Sequence, residues 1–557
     1  MSANIPLRIL IIGGVAGGAS AATRARRVDP SAEITIFEKG PNVSFANCGL
    51  PYHLGGEIEQ RSKLLVATPE LFWNRFRIGV RTNSEVLSID RSAKAIRVRA
   101  IGVDGSVTDS THGYDRLILA TGAEPVLPPF ANPMPVNAFH LWTLVDMDRV
   151  IQYLDSYPVR QVLVVGGGFV GMEVVEQFHR RGLKVTLVER NPQILTRLDP
   201  LFASLVANHA RSQGVQVING DSVESLVLDD DRVTAARLAS GPLIETDLIL
   251  IGAGVRPRIR LAEEAGLTIG PKGGISVNAM MQTSDPSIYA VGDIVEYMHT
   301  VTGNRGLNPL AGPANRSGRI AGEHAARGVS QPMGGVLGTS IVRVFERTAA
   351  STGLNEKELV RGQIPFRTAI VEAASHASYF PGANNMHLKL LYAEPTGKLL
   401  GAQAVGGEGV DKRIDVIATA IALGGTVYDL AQLDLAYAPP FGSAKDPIHM
   451  VAFTAINDLS DRPRLLPPDS DLTGMQVVDV RTEKERLQLP LEGGIAIGID
   501  ELPQRWEELD PTRPTVVVCH SGKRAHIGAC RLRESGFSTV FNLTGGMSIR
   551  SLIKQHS

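Results

Sequence analysis

One pattern constrains this chain more than any other: a short apolar strand, a glycine turn, a helix and a second strand, written twice. Residues 7–12, LRILII, run into GGVAGG, a helix-like ASAATRARRV and a second strand, EITIFEKG. Residues 161–192, QVLVVGGGFVGMEVVEQFHRRGLKVTLVERNP, repeat that order. Each copy reads as a βαβ unit, because apolar runs of strand length ending in glycine flank a stretch of helix length. In the second copy Gly166, Gly168 and Gly171 fit G-x-G-x-x-G. The first makes the tight turn, the second lets backbone approach a diphosphate, and the third lets helix and strand pack closely. The helix N-terminus then favours the diphosphate charge. Glu189 closes the second strand, where a carboxylate accepts from a ribose diol and repels a 2′-phosphate. NADH is therefore expected over NADPH, with the adjacent Arg190 pulling the other way.

The first copy keeps Gly13, Gly14 and Gly18 but has Val15 where the middle glycine is expected. Glu38, at the end of its second strand, is a candidate ribose acceptor. Further strands end in glycine at YDRLILATGAEPVLPPF (114–130), TDLILIGAGVRPR (246–258) and TSDPSIYAVGDIVE (283–296). Thr121 and Gly122 form one such turn, of the kind that closes over FAD. Asp293 follows another, where it could accept from a ribityl chain, which only a flavin has. The 56 basic and 57 acidic residues nearly cancel without like-charge blocks, so no nucleic-acid or anionic-membrane partner is expected. No apolar run approaches the ~20 residues that span a bilayer. The N-terminus runs straight into a strand without a cleavage pattern, so the protein is expected to be cytoplasmic. Three cysteines, Cys48, Cys519 and Cys530, are too few and too scattered for a disulfide framework or a zinc site, so free thiols and no metal are expected.

Cys48 stands in SFANCGLPYH, among small residues and a proline rather than in an apolar run. Together with the two glycine turns, LILATGA and the strand before Asp293, this stretch resembles the two-dinucleotide flavoprotein disulfide reductases over roughly residues 7–450. Many of that superfamily carry a second cysteine five positions after the first; here that position is His53. The chain therefore resembles the single-cysteine branch, the coenzyme A disulfide reductases and NADH-dependent persulfide reductases. The resemblance implies FAD, NADH and coenzyme A as cofactors, the last a candidate for tight binding, and a thiolate that stays nucleophilic toward an external sulfur. In HASYFPGA and LDLAYAPPFGSAKDP it makes Tyr379 and Tyr437 hydroxyl donors that reach the active site across a homodimer interface. The alternative for both is an aromatic packing role. For coenzyme A it implies Arg24 and Arg27, three apart on one helix face, although that spacing serves a solvated basic face equally. It adds Ser44 and Asn47 beside the thiol, Phe72 over the adenine, and Asn308 in GLNPLAGPANRSGRIAGEHA.

The C-terminal segment begins with VVDVRTEKE and centres on TVVVCHSGKRAHIGACRLRESGF. Cys519 after a buried strand, followed by a short loop with Gly522, Lys523 and Arg524, resembles the rhodanese domain. A loop wrapped round the sulfur turns N–H groups inward and makes an anion nest, while Lys523 and Arg524 add positive potential toward anionic sulfur donors. LPLEGGIAIGIDEL stands where that family usually has a histidine-glycine stretch. Cys530, in the following helix, is expected to be packed and inert.

The expected architecture is α/β. It has an FAD-binding domain of residues 1–124 and 248–333, an NAD(H)-binding domain at 125–247, an α+β dimerisation domain at 334–456, a linker at 457–473 and a rhodanese-like domain at 474–557. The expected function is NADH-dependent reduction of coenzyme A persulfide, polysulfide or coenzyme A disulfide through Cys48, with sulfane sulfur delivered by Cys519. Two alternatives are an NADH peroxidase or oxidase that forms a Cys48 sulfenate, and a sulfur carrier or redox sensor.

Overall fold

A computed structural model of the chain describes residues 6–460 and 462–553. The chain divides into two compact units, Met1–Pro192 with Gly214–Gly338, and Gln193–Gln213 with Thr339–Ser557. Among the described residues no helix is long and apolar enough to cross a membrane.

The first unit holds two parallel sheets. Arg8–Ile12 lies at the centre of one, paired with Glu33–Phe37 on one side and Arg116–Leu119 on the other, with Ile288–Ala290 and Gly79–Arg81 at the edges. Strands that are apolar throughout suit this position, since a parallel sheet is covered on both faces. Ile9 and Ile11 are fully buried. The helix Ala16–Val28 leaves the first strand through Gly13, which holds φ +97°. A Cβ on Gly18 would stand 1.9 Å from the Gly13 carbonyl oxygen, so only glycine lets this helix approach the turn. The second sheet repeats the device: Gln161–Val165 leads through Gly166 into Phe169–Arg180, and a Cβ on Gly171 would lie 1.9 Å from Gly166 O.

That second sheet corrects one expected boundary. Leu248–Ile251 pairs in parallel with Val162–Val165 and is a core strand of the NAD(H)-type sheet. Beyond it Val255–Pro257 pairs with Ala123–Pro125 in a separate two-stranded ribbon, and the chain rejoins the first sheet at Ile288–Ala290. Residue 248 is therefore too early a start for the returning segment.

The second unit begins with a further correction. Pro200–Ser212, expected in the NAD(H)-binding domain, groups instead with the residues after 339. Asp199, at its N-terminus and 3% exposed, accepts from Lys389 Nζ at 2.6 Å and Gln403 Nε2 at 2.7 Å. Those partners lie on an antiparallel five-stranded sheet ordered Ser340–Val344, Arg347–Gly353, Leu399–Gly406, Asn385–Tyr392 and Arg367–Ala374. The C-terminal sheet is parallel, in the order Arg464–Leu466, Val540–Leu543, Thr515–Val518, Gln476–Asp479 and Ile495–Ala496.

The expected linker at 457–473 is only partly a linker. The helix Pro447–Leu459 runs into it, and Arg464–Leu466 is an edge strand of the C-terminal sheet. Asp458 ties the two together: one carboxylate oxygen accepts from Leu465 N and Arg367 Nη1, each at 2.7 Å, and the other from Tyr392 Oη at 2.7 Å. A polar, proline-rich stretch reads as solvated, whereas these bonds to one buried carboxylate order its first half.

Candidate functional site

Each glycine turn of the first unit is closed by a carboxylate at the end of the neighbouring strand. Glu38 Oε2 accepts from Gly14 N at 2.9 Å, and Oε1 accepts from Gly40 N at 2.9 Å. In the second lobe Glu189 Oε2 accepts from Gly167 N at 2.6 Å, and Oε1 accepts from the backbone and side chain of Asn191 at 2.7 and 2.5 Å. Both acids are thus fixed in place, and carboxylate oxygens have a second lone pair to offer a ribose diol. Gly168, at the helix N-cap, has nothing within 4 Å of where a Cβ would stand, leaving room for a close approach to backbone. Gly122 holds φ +65°, and Thr121 Oγ1 donates to Arg258 O at 2.8 Å. Asp293 follows the strand Ile288–Ala290; burial pushes its carboxyl up to about 6, and among the described residues no ion pair relieves it. Asn308, 9% exposed, has a buried Nδ2 with no acceptor among the described residues. A half-buried carboxylate whose proton affinity is raised and a buried amide without an acceptor fit a polyhydroxylated dinucleotide and its ligands better than they fit a closed core.

Cys48 sits on the 3-10 turn Asn47–Gly49, ahead of the short helix Leu50–Leu54. Ser44, at φ +48°, donates its N–H to Gly14 O at 2.8 Å, which sets this segment directly against the first glycine turn. The thiol is exposed, with Asn47 Oδ1 at 3.7 Å, and is one of three free cysteines. His53, where a resolving cysteine would stand, faces Ile58 O at 2.5 Å through Nδ1. Protein closes round the sulfur enough that burial pushes the thiol up, followed by the charges of Glu173 and Asp293. Glu173 comes from the helix Phe169–Arg180 of the other lobe, where Tyr52 Oη donates to it at 2.9 Å. Neither Tyr52 nor Glu173 was among the candidates. The approach of the second lobe brings Glu173 to the thiol, and Tyr52, four residues on from Cys48, is the group that holds it there.

Two coenzyme A candidates need correction. Phe72 is 1% exposed and belongs to the core of the first lobe, so it is not available to cover an adenine. Phe76, one helical turn on, is half-buried, and Arg27 lies over its ring at 5.5 Å. The two arginines also stand in different surroundings. Arg24 is engaged by Glu323 Oε2 at 2.9 and 2.6 Å, whereas Arg27 remains exposed. Helix spacing put them on one face, but the carboxylate 299 residues away claims only Arg24.

In the second unit Tyr379 and Tyr437 meet, their hydroxyls 3.2 Å apart and both side chains exposed. That hydrogen bond raises the Tyr379 phenol. Their loops are joined by Ala377 N donating to Gly442 O at 2.9 Å and by Arg413, which is 1% exposed. Arg413 donates to Asp446 Oδ2 at 2.7 Å and to Ser375 O at 2.8 Å. Phe380 and Phe441 are exposed beside them.

Cys519 ends the strand Thr515–Val518 and is 1% exposed. Gly522, at φ +93°, donates its N–H to the sulfur at 3.1 Å, and the helix Lys523–Glu534 starts immediately after it. The N–H donor and the positive helix end both favour a thiolate or persulfide. Lys523 is exposed, whereas Arg524 is held by Glu485 Oε2 at 2.8 Å and Oε1 at 2.5 Å and also bonds Cys519. The divergent LPLEGGIAIGIDEL still supplies an edge strand, Ile495–Ala496. Cys530 is half-buried, 3.8 Å from His526 Nε2, and burial pushes its thiol up.

The sequence matches the description "Pyridine nucleotide-disulphide oxidoreductase" over residues 7–306, its dimerisation domain over 339–447 and "Rhodanese-like domain" over 468–548. The chain belongs to the pyridine nucleotide-disulphide oxidoreductase family. It is 33% identical to the coenzyme A disulfide reductase of Staphylococcus haemolyticus, over 80% of this chain and 99% of that one. It is also 33% identical to an NADH oxidase of Methanocaldococcus jannaschii, over 82% and 100%. Two solved structures extend the likeness through the C-terminal domain. The reduced Bacillus anthracis CoADR-RHD superposes with a TM-score of 0.95 at 40% identity, covering 99% of each chain. The NAD-dependent persulfide reductase from A. fulgidus gives 0.91 at 36%, covering 98% and 100%.

Within this member of the family, VVDVRTEKE, which begins the C-terminal segment, supports the Cys519 loop. Arg481, 1% exposed, is bound by Asp479 Oδ2 at 2.7 Å, and Glu485 both caps the helix Glu483–Gln488 and grips Arg524. Those bonds, with Arg524 first, hold the Glu485 carboxyl down at about 2. A depressed carboxyl contributes stability above its unfolded value of 4.5 and loses it as pH falls toward 2. Denaturant titrations at pH 5 and pH 3 should show Glu485→Gln erasing on the order of 1–2 kcal/mol of the pH-dependent stability, after discounting for solvent screening. An unchanged pH slope would contradict the assignment.

Proposed function

We propose that the chain is an NADH-dependent flavoenzyme that reduces coenzyme A persulfide, polysulfide or coenzyme A disulfide, with Cys519 supplying sulfane sulfur. The observation that carries this is an exposed thiol, Cys48, in a segment that Ser44 ties to a dinucleotide-type glycine turn and that has no other thiol, in a chain that also holds the Cys519 loop. Gly13, Gly14, Gly18, Glu38, Thr121, Gly122 and Asp293 would hold FAD, which supplies a two-electron relay between NADH and sulfur. Gly166, Gly168, Gly171 and Glu189 would hold NADH.

Cys48 attacks the carrier sulfur of a persulfide. The S–S bond breaks, hydrosulfide leaves with the electron pair, and a mixed disulfide remains on Cys48. Two electrons and a proton, drawn from NADH, return the Cys48 thiolate and the free carrier thiol. Ser44, Asn47, Arg27 and Asn308 position the carrier, and Tyr379 and Tyr437 donate protons to leaving sulfur. The exposed Tyr379, Phe380, Tyr437 and Phe441 support a homodimer in which these tyrosines serve the neighbouring site.

The NADH oxidase relative supports a second reading, in which Cys48 cycles through a sulfenate. Steady-state NADH oxidation with polysulfide, hydrogen peroxide and oxygen separates the two: the proposal expects polysulfide to be strongly preferred, and a clear peroxide or oxygen preference would overturn it. A sensor, by contrast, would stop after about one turnover with excess NADH and persulfide. Mass spectrometry of the untreated protein would identify what is attached to Cys48.

A further inference from the structure

The catalytic loop of the rhodanese-like domain is built against a strand of the dimerisation domain. On the edge strand Arg367–Ala374, Ile370 N donates to Thr544 Oγ1 at 2.7 Å, and Ile370 O accepts from Thr544 Oγ1 at 3.1 Å and Gly545 N at 3.2 Å. The turn so anchored opens the helix Gly546–Arg550, whose Met547 and Ser548 N–H groups donate to the carbonyls of Cys519 and His520, both at 2.9 Å. A Cβ on Gly546 would lie 2.5 Å from each of those carbonyl oxygens, so the fit is close.

Two residues on from Ile370, and so on the same face of the strand, Glu372 reaches the loop directly. Its Oε2 stands 3.4 Å from His520 Nε2 and 3.8 Å from Nε2 of His387, which is paired opposite it across the sheet. That oxygen is buried and has no hydrogen bond, while Oε1 accepts from Asn385 Nδ2 at 2.8 Å. Glu372, His520, Ser521 and Lys523 are among the residues lining a cavity of about 460 Å3, with Ser443 and Lys445 also in its wall. Arg347 also acts on His387 through its charge.

We propose that Glu372 is a positioning residue for sulfur transfer at Cys519: it fixes the His520 imidazole at the entrance of the loop, where an anionic sulfur donor arrives. A buried carboxylate oxygen without a donor is costly, and the two imidazoles are the groups placed to satisfy it. A ring held in advance also spares the donor complex the entropy of ordering it. The inference rests on the reading of Cys519 as the sulfur acceptor. In that step the Cys519 thiolate attacks the sulfane sulfur of thiosulfate, the S–S bond breaks, sulfite leaves with the electron pair, and a persulfide remains; cyanide then removes the outer sulfur as thiocyanate and restores the thiolate.

The test is thiocyanate formation from thiosulfate and cyanide by the full-length protein, an assay that uses no NADH. Glu372→Ala is expected to raise the KM for thiosulfate about tenfold, which corresponds to about 1.4 kcal/mol, with kcat within about twofold. His520→Ala should raise it equally, and the double variant should be no worse than either. A fall in kcat at unchanged KM, multiplying effects, or no effect would overturn the proposal. His520, half-exposed, is the variant that decides if Glu372→Ala fails to fold. Cys519→Ser must abolish thiocyanate formation. If it does not, or if the unaltered protein has no such activity, the reading of Cys519 fails and takes this inference with it, whereas an active enzyme indifferent to Glu372 and His520 overturns the inference alone.

Discussion

Cys48→Ser is expected to abolish NADH-dependent reduction of persulfide and disulfide, by at least about a thousandfold, because a serine hydroxyl neither forms a thiolate nor exchanges with sulfur. Flavin content and melting temperature should stay at the unaltered level, since Cys48 is an exposed residue and serine keeps the size and the hydrogen bond to the adjacent Asn47. The companion Cys519→Ser should keep reduction of a persulfide added directly and lose use of thiosulfate. Stopped-flow reduction with NADH distinguishes the steps: the flavin should still be reduced in Cys48→Ser, but a sulfur substrate should no longer reoxidise it. Persistent turnover in Cys48→Ser would remove the basis of the proposed function.

Arg413→Ala is expected to cost about 3–5 kcal/mol, the usual penalty for leaving one member of a buried ion pair alone. Arg413 and Asp446 are 1% and 4% exposed in their side chains, and Asp446 also caps the helix Pro447–Leu459 by accepting from Ile448 N. The same guanidinium holds Ser375 O and Gly409 O. Its loss therefore frees both tyrosine loops, 375–380 and 436–446. Turnover should fall with stability, and Arg413→Lys should recover only part of either, because an ammonium lacks the fork that spans Asp446. Thermal melts with steady-state assays below the transition check this. A variant as stable as the parent would show that the buried pair does not organise the loops.

Much of the fold was legible because its determinants are local. Gly13 and Gly166 turn with positive φ, and Gly18 and Gly171 admit their helices to those turns, within a few residues of chain. The Cys519 loop is equally local, since Gly522 N–H reaches the sulfur three residues back. Where the reading erred, a distant partner decided. Helical spacing could not say which phenylalanine of PELFWNRF faces the core, and packing buried Phe72 while leaving Phe76 beneath Arg27. Polar composition suggested a linker, yet Asp458 draws Leu465 into order and Arg464–Leu466 pairs with the C-terminal sheet.

The order of the residues alone thus determined that this protein has two dinucleotide turns, an unpartnered thiol after the first and a second thiol in a loop of N–H groups, because sterics and hydrogen bonding over a few residues specify each. Tertiary structure alone decided that Glu173 bears on Cys48, that Glu323 withdraws Arg24, that Tyr379 meets Tyr437, and that Glu372 faces His520. Those are encounters between groups tens to hundreds of residues apart, and charge and burial act through space with no regard for distance along the chain.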